Sequence, residues 1–263
     1  MAADIDPAVP LTVQSEIALK PGDHFKECNH CPEMVDIPPG EFLMGSPEGE
    51  PGRSEDEGPR HMVSISRQFA VGKFEVTFEE WDECTTDGGC EYVPMDVGGR
   101  GSLPVINVSW EDAQIYVTWL SKHTGKTYRL LTEAEWEYAA RAQTSQRFFF
   151  GDDESLLADY AWFNWNSELR AHPVGTKKPN GFGLFDTSGN VWEWCEDCYK
   201  SYYTDESSDG SAVKFEECSR HVMRGGSFSH VPYGVRPAQR NKAPYSRYKG
   251  LGFRVARTLE RAE

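Results

Sequence analysis

Regular patterning begins at residues 34–44, where Met34, Val35 and Ile37, then Phe42, Leu43 and Met44, flank a Pro-Pro-Gly turn and predict two short strands. A third strand is predicted in "HMVSISRQFAVGKFEV", whose first half alternates, with Met62, Ser64 and Ser66 on one side and Val63 and Ile65 on the other. Helices follow, each announced by a Ser or Thr with an acid three residues on, a spacing that lets the two residues satisfy free backbone N–H groups at a helix start. These starts fall at Thr77 with Glu80, Ser109 with Asp112 and Thr132 with Glu135. The second helix carries Ala113, Tyr116, Val117 and Leu120 on one face and stops near Gly125, and the third is the short "EAEWEYAARA". Beyond it tryptophans, asparagines and glycines replace periodic segments until a last strand, "GFRVART". Residues 1–32 lack sustained periodicity and read as an arm lying on a domain of residues 33–258, with 259–263 as a tail. The order matches neither a repeat nor a parallel strand–helix alternation, and predicts an α+β domain with low regular secondary structure.

Composition adds the scale. With 263 residues, 38% of them hydrophobic and 13% aromatic, the chain buries a core, and 24 glycines with 16 prolines favour irregular segments pinned by large rings. The formal charge of −15, from 42 acidic against 27 basic residues, argues against a nucleic-acid duplex or an anionic membrane as partner. Acidic residues gather in "GSPEGEPGRSEDEGPR", which reads as a solvated loop. No apolar run reaches the length of a membrane span, and "MAADIDPAVPLTVQSE" shows no export signal.

Seven cysteines are many for a cytosolic protein of this size. Their positions suggest Cys28 with Cys31, Cys84 with Cys90, and one of Cys195 or Cys198 with Cys218, leaving one thiol over. Such pairs imply an oxidising, periplasmic or secreted location, with the cytoplasm as the alternative because no signal is visible. The rival reading joins Cys28/Cys31 and Cys195/Cys198 into a four-thiolate zinc site, but neither pair has the usual zinc-knuckle glycine turn and the two lie far apart in the chain.

Candidate chemistry concentrates in "VMRGGSFSHVPYGVRPAQR", residues 222–240. Adjacent Gly225 and Gly226 permit a sharp bend and close approach, Arg224 and Arg236 offer planar donors suited to a carboxylate, and His230 is the one side chain there that titrates near neutrality.

Taken in order, "IPPGEFLMGS", "RLLTEAEWEYAARA", "PNGFGLFDTSGNVWEW" and "RGGSF", closed by "GFRVART", resemble the sulfatase-modifying-factor family, the family of the formylglycine-generating enzymes, over residues 33–257. The resemblance implies a compact, irregular fold distantly similar to C-type lectin domains. It also implies oxidation of a protein cysteine to formylglycine by oxygen and a copper(I) ion held by two cysteines of the Gly-Gly-Ser loop. Here those two positions are His230 and Val235, and an imidazole with an isopropyl group is a poor copper(I) site beside two thiolates, so no copper is expected. The chain looks like the family's members without that pair, which include an inactive-looking animal paralogue, an oxidase of siderophore maturation and many bacterial proteins of unknown role. Trp192 and Ser227 match residues that line the family's substrate groove. In "DTSGNVWE" the resemblance assigns the side chain of Asp186, the carbonyls of Gly189 and Val191 and the carboxylate of Glu193 to one structural calcium ion, a donor set that suits a hard cation. A second calcium site of the family falls around Asn164, where the surrounding pattern departs from it.

Three functions follow. The first is an accessory, binding or maturation protein whose groove, around Trp192, Arg224, Ser227, His230 and Arg236, receives a peptide or small polar ligand. The second is an oxidoreductase that uses the same groove with other machinery, His230 serving as catalytic acid or base. The third, formylglycine generation, is disfavoured by the missing cysteines.

Overall fold

All three helix starts close as capping boxes: Thr77, Ser109 and Thr132 each accept from the N–H three residues on, and the acid there accepts from the cap's own N–H. The computed structural model describes residues 9–95, 98–203, 208–244 and 246–260. The first eight residues of the expected arm and the last three of the expected tail lie outside them. In chain order the elements are α1 (Val13–Ile17), β1 (His24–Phe25), β2 (Met34–Ile37), β3 (Gly40–Met44), β4 (His61–Ile65), β5 (Phe69–Gly72), α2 (Phe78–Thr86) and α3 (Trp110–Thr124). Then come β6 (Tyr128–Leu130), α4 (Glu133–Arg141), α5 (Leu157–Tyr160), β7 (Trp192–Cys198), β8 (His221–Arg224), β9 (Arg240–Ala243), β10 (Leu251–Gly252) and β11 (Val255–Thr258). Long irregular stretches separate the later strands, so the protein is α+β with low regular secondary structure.

Among the described residues β1-β2-β5-β11-β6 form an antiparallel five-stranded sheet and β10-β7-β8-β9 a four-stranded one, while β3 pairs with β4 alone. The third predicted strand is therefore two strands: β4 alternates as expected beside β3, but β5 is buried on both faces and belongs to the five-stranded sheet. The strands flanking Pro38 and Pro39 likewise join different sheets instead of pairing with each other. The apolar face of α3 buries Ala113, Tyr116, Val117 and Leu120, with Tyr116 stacked on Trp81 of α2 at 5.7 Å. The segment read as an arm supplies β1 to the sheet edge. It also brings in Glu16 and Glu27, whose buried carboxylates bind the Arg257 guanidinium of β11 at 2.5 and 3.0 Å.

Disulfides join Cys28 to Cys31, Cys84 to Cys90 and Cys198 to Cys218, and Cys195 remains a buried thiol. Cys28 and Cys31 are thus closed on each other and form no four-thiolate site with Cys195 and Cys198. Three bridges are compatible with an oxidising compartment. Among the described residues no helix is long and apolar enough to cross a membrane.

What places the site is the four-stranded sheet. β7 runs parallel to β10, with Leu251 opposite Trp192, and antiparallel to β8, with Glu193 opposite Arg224. The start of β7 and the end of β8 therefore lie side by side, and the loops that enter and leave them meet.

Candidate functional site

Gly225 and Gly226 hold φ of 93° and 75°, a region that strains other residues, and the chain is packed too closely there for a side chain. A Cβ on Gly226 would stand 2.3 Å from the Gly234 carbonyl oxygen. The bend seats the loop against the segment before β7: the Gly225 carbonyl accepts from Gly189 N–H at 2.8 Å, and Phe228 N–H donates to the Asn190 carbonyl at 2.7 Å. Trp192, Ser227 and His230 are brought together as a result. The Ser227 hydroxyl lies 2.9 Å from Nδ1 of His230 and 3.1 Å from the Ser229 hydroxyl. The His230 ring meets the Trp192 indole edge-on, 5.0 Å between centroids. His230 is half-buried, and burial lowers its pKa below the ordinary histidine value, which favours the neutral ring at pH 7. Exposed aromatics flank it: Tyr233 in the turn that follows, and Trp165 next to Asn164, whose N–H donates to the His230 carbonyl at 3.0 Å.

Arg224 and Arg236 do not join them, and their expected place in a ligand groove is corrected by their burial: both are 0% exposed. Arg224 is ion-paired to Glu137, donates to the carbonyls of Ala238 and Gln239 at 2.9 and 2.8 Å, and lies over the Trp136 ring. Arg236 is bidentate to Glu57 at 2.9 and 2.7 Å, pairs with Glu50 and donates to the Gly52 carbonyl. Both act as cross-links between segments. The acidic stretch expected to be solvated thereby loses Glu57 to the interior, where it neutralises Arg236. Val235 points into an apolar cluster with Phe148, Leu157, Ala161 and Phe163.

The Asp186–Glu193 loop is buried and rich in charge. Asp186 sits at φ 58°, and its Oδ2 accepts from Gly175 N–H at 2.7 Å, while its Oδ1 is buried with no hydrogen-bond partner. Glu193 is otherwise engaged: Arg254 donates to both of its oxygens at 2.8 Å, and Trp136 Nε1 donates to it at 2.6 Å. Gly189 carries φ 80° and packs on the Trp162 carbonyl, and Val191 is fully buried. Glu75, which the sequence did not single out, completes the group. Its Oε2 accepts from Asn190 Nδ2 at 3.3 Å and its Oε1 is buried without a partner. Burial, then the neighbouring Asp186 and Glu193, push its carboxyl well above the usual range, and burial lifts Asp186 to about 6. Three carboxylates against Arg254, with two orphaned oxygens, fit an added hard cation at the Asp186 and Glu75 end, whereas the Glu193 carboxylate already has its counter-charge. Asn164 also has a buried Oδ1 without a partner.

The sequence held little trace of Glu75, one acid among several in "KFEVTFEEW", or of Trp165 and Tyr233, because burial and exposure depend on distant segments. A cavity of about 20 Å³ lies behind Phe228, room for no more than a water, and one of about 620 Å³ lies elsewhere, lined by Arg67, Arg129, Glu135 and Lys214 among others.

Comparison with known proteins identifies the family. The model of the sulfatase-modifying factor enzyme 1-like domain matches residues 20–259. The formylglycine-generating enzyme of Streptomyces coelicolor is 37% identical over 284 aligned residues, covering 85% of this chain and 88% of that protein. The inactive C-alpha-formylglycine-generating enzyme 2 of Mus musculus is 27% identical over 297, covering 88% and 87%. Among solved structures, PvdO from Pseudomonas aeruginosa superposes with a TM-score of 0.87 at 39% identity, over 92% of this chain and all of that one. The chain therefore belongs to the sulfatase-modifying factor family and carries its enzyme 1-like domain over nearly its whole length.

Proposed function

We propose that this protein is an accessory or maturation factor that binds a peptide or small polar ligand at the Ser227–His230 loop, against Trp192. The supporting observation is the convergence of a hydroxyl, an imidazole and an indole at the junction of two loops, with Trp165 and Tyr233 exposed on its flanks. Polar groups that fix orientation beside aromatic surface are the usual composition of a ligand site. Arg224 and Arg236 are excluded from it because their guanidinium groups are spent on buried acids.

Copper-dependent cysteine oxidation is not part of the proposal, since the two loop positions that the family resemblance assigns to thiolates hold His230 and Val235, the latter inside an apolar cluster. A hard cation such as calcium is proposed as a structural element, held by Asp186 with Glu75 beside it and the carbonyls of Gly189 and Val191 as further donors. The Ser227–His230 hydrogen bond also favours a second reading, in which the neutral imidazole takes a proton from the ligand or from Ser227 during turnover.

The test is a titration of 15N-histidine-labelled protein with a cysteine-containing sulfatase peptide and its serine counterpart. Saturable shifts of the His230 ring signals, with the peptide mass unchanged, are expected. Absence of any shift with both peptides sinks the peptide-binding reading, and conversion of the cysteine to an aldehyde sinks the accessory reading.

A further inference from the structure

The strand pair β7–β8 carries a second group of chemistry-bearing side chains, away from the loop just described. Cys198 and His221 are register partners across the pair. Cys218, three residues before His221, lies with its Sγ 3.7 Å from His221 Nδ1 and is bonded to Cys198. One ligand atom from each of the three falls within 4.8 Å of the others, and among the described residues this is the group of His, Cys, Asp and Glu so arranged. The imidazole is fixed by stacking on Trp110 at 3.9 Å with 7° between the planes, and Trp110 is in turn tied through Nε1 to the Cys195 carbonyl at 2.9 Å. Cys198 and His221 are buried, while Cys218 is half-buried in the irregular segment before β8.

We propose that Cys198, Cys218 and His221 form a redox-gated zinc site, shut while the disulfide is closed and assembled when it is reduced. Two thiolates and an imidazole are donors for a borderline-soft ion such as zinc, not for calcium, and three protein ligands leave the fourth tetrahedral position to water. Two ligands sit on paired strands and stay fixed. The third lies outside the ladder, so its sulfur has room to retreat from bonding distance to the separation of two zinc-bound thiolates. The chemistry balances with a thiol or phosphine reductant. A dithiol gives two electrons and two protons to the S–S bond, leaving two thiols and becoming a disulfide itself, whereas a phosphine with water becomes a phosphine oxide. Zinc then displaces two thiol protons, and reoxidation of the sulfurs by peroxide, itself reduced to water, expels the ion. The other two disulfides lack a third donor of this kind among the described residues.

Cobalt(II), a spectroscopic stand-in for zinc, tests the proposal on the full chain under anaerobic conditions. After phosphine reduction one cobalt per chain is expected, with a thiolate-to-cobalt charge-transfer band that zinc abolishes; the oxidised chain should show none. Cys218→Ser and His221→Ala should each weaken binding at least about tenfold, and Cys28→Ser/Cys31→Ser should not. If His221→Ala fails to fold, His221→Asn replaces it with the same expectation. A reduced wild-type chain that takes up neither ion at micromolar concentration, or a His221 variant with wild-type affinity and spectrum, overturns the site.

Discussion

The Ser227 hydroxyl lies 2.9 Å from Nδ1 of His230, and the imidazole it touches is half-buried against the edge of Trp192. Ser227 is itself buried, the imidazole reaches solvent on one side, and the pair holds no buried charge. His230→Ala should therefore change stability by no more than about 1 kcal/mol, while Trp192→Ala, which removes a buried ring, should cost about 3–5 kcal/mol. Peptide titration of both variants checks the site: binding is expected to fall for His230→Ala without loss of fold, and retention of full affinity would remove His230 from it.

Arg236 predicts the opposite balance. Its guanidinium is fully buried and bidentate to Glu57, so Arg236→Ala leaves an uncompensated carboxylate in the interior, a change worth about 3–5 kcal/mol. Urea unfolding should show the loss directly. Arg236→Ala with Glu57→Gln should recover part of it, and a single variant as stable as the wild type would show the ion pair to be absent in solution.

Calcium removal should lower the melting temperature. An ion that binds the native state alone adds about 2.7 kcal/mol at a hundredfold excess over its Kd. Asp186→Ala should abolish the calcium-dependent shift and Glu75→Gln should reduce it, because these residues carry the orphaned oxygens. A melting curve that ignores both chelator and calcium would leave the loop as a charged turn without an ion.

Glu80 supplies a pH dependence. Burial pushes its carboxyl up to about 7, against 4.5 for the free residue, even though it accepts from Thr77 in the capping box. With its folded pKa raised, the native state holds a proton that the unfolded chain has lost between pH 4.5 and about 7. Its contribution to stability therefore falls as pH rises through that window, at no more than about 1.4 kcal/mol per pH unit. Glu80→Gln keeps an acceptor for the Thr77 N–H and should flatten that part of the profile. An unaltered slope would assign it to other carboxyls.

Much of this was legible where the controlling interaction is local. The three capping boxes span four residues each, and the helix starts appear where they were expected. The buried face of α3 follows from its own spacing, and two of the disulfides close over separations of 3 and 6 residues. What failed depended on distant partners. Residues 61–72 look like one strand until β3 and β2 claim its halves for separate sheets. Arg224 and Arg236 look like ligand donors until the acids 87 and 179 residues away are seen to occupy them. Within the candidate site, Trp192, Ser227 and His230 meet because Gly225 and Gly226 bend the chain, and paired glycines are a local signal that a sequence displays. Glu75 stayed hidden because nothing near it in the chain reports that it is buried.

The ion pair between Glu16 and Arg257 joins residues 241 apart. Glu16 is made early, yet its carboxylate has no Arg257 to bury against until nearly the whole domain has been synthesised. Closing so long a loop is slow compared with forming the helices, so the nascent chain carries its first segment undocked while the middle of the protein takes shape. Docking of that segment therefore reports completion of the domain, and protection of α1 and β1 from protease should be among the last features a refolding chain acquires.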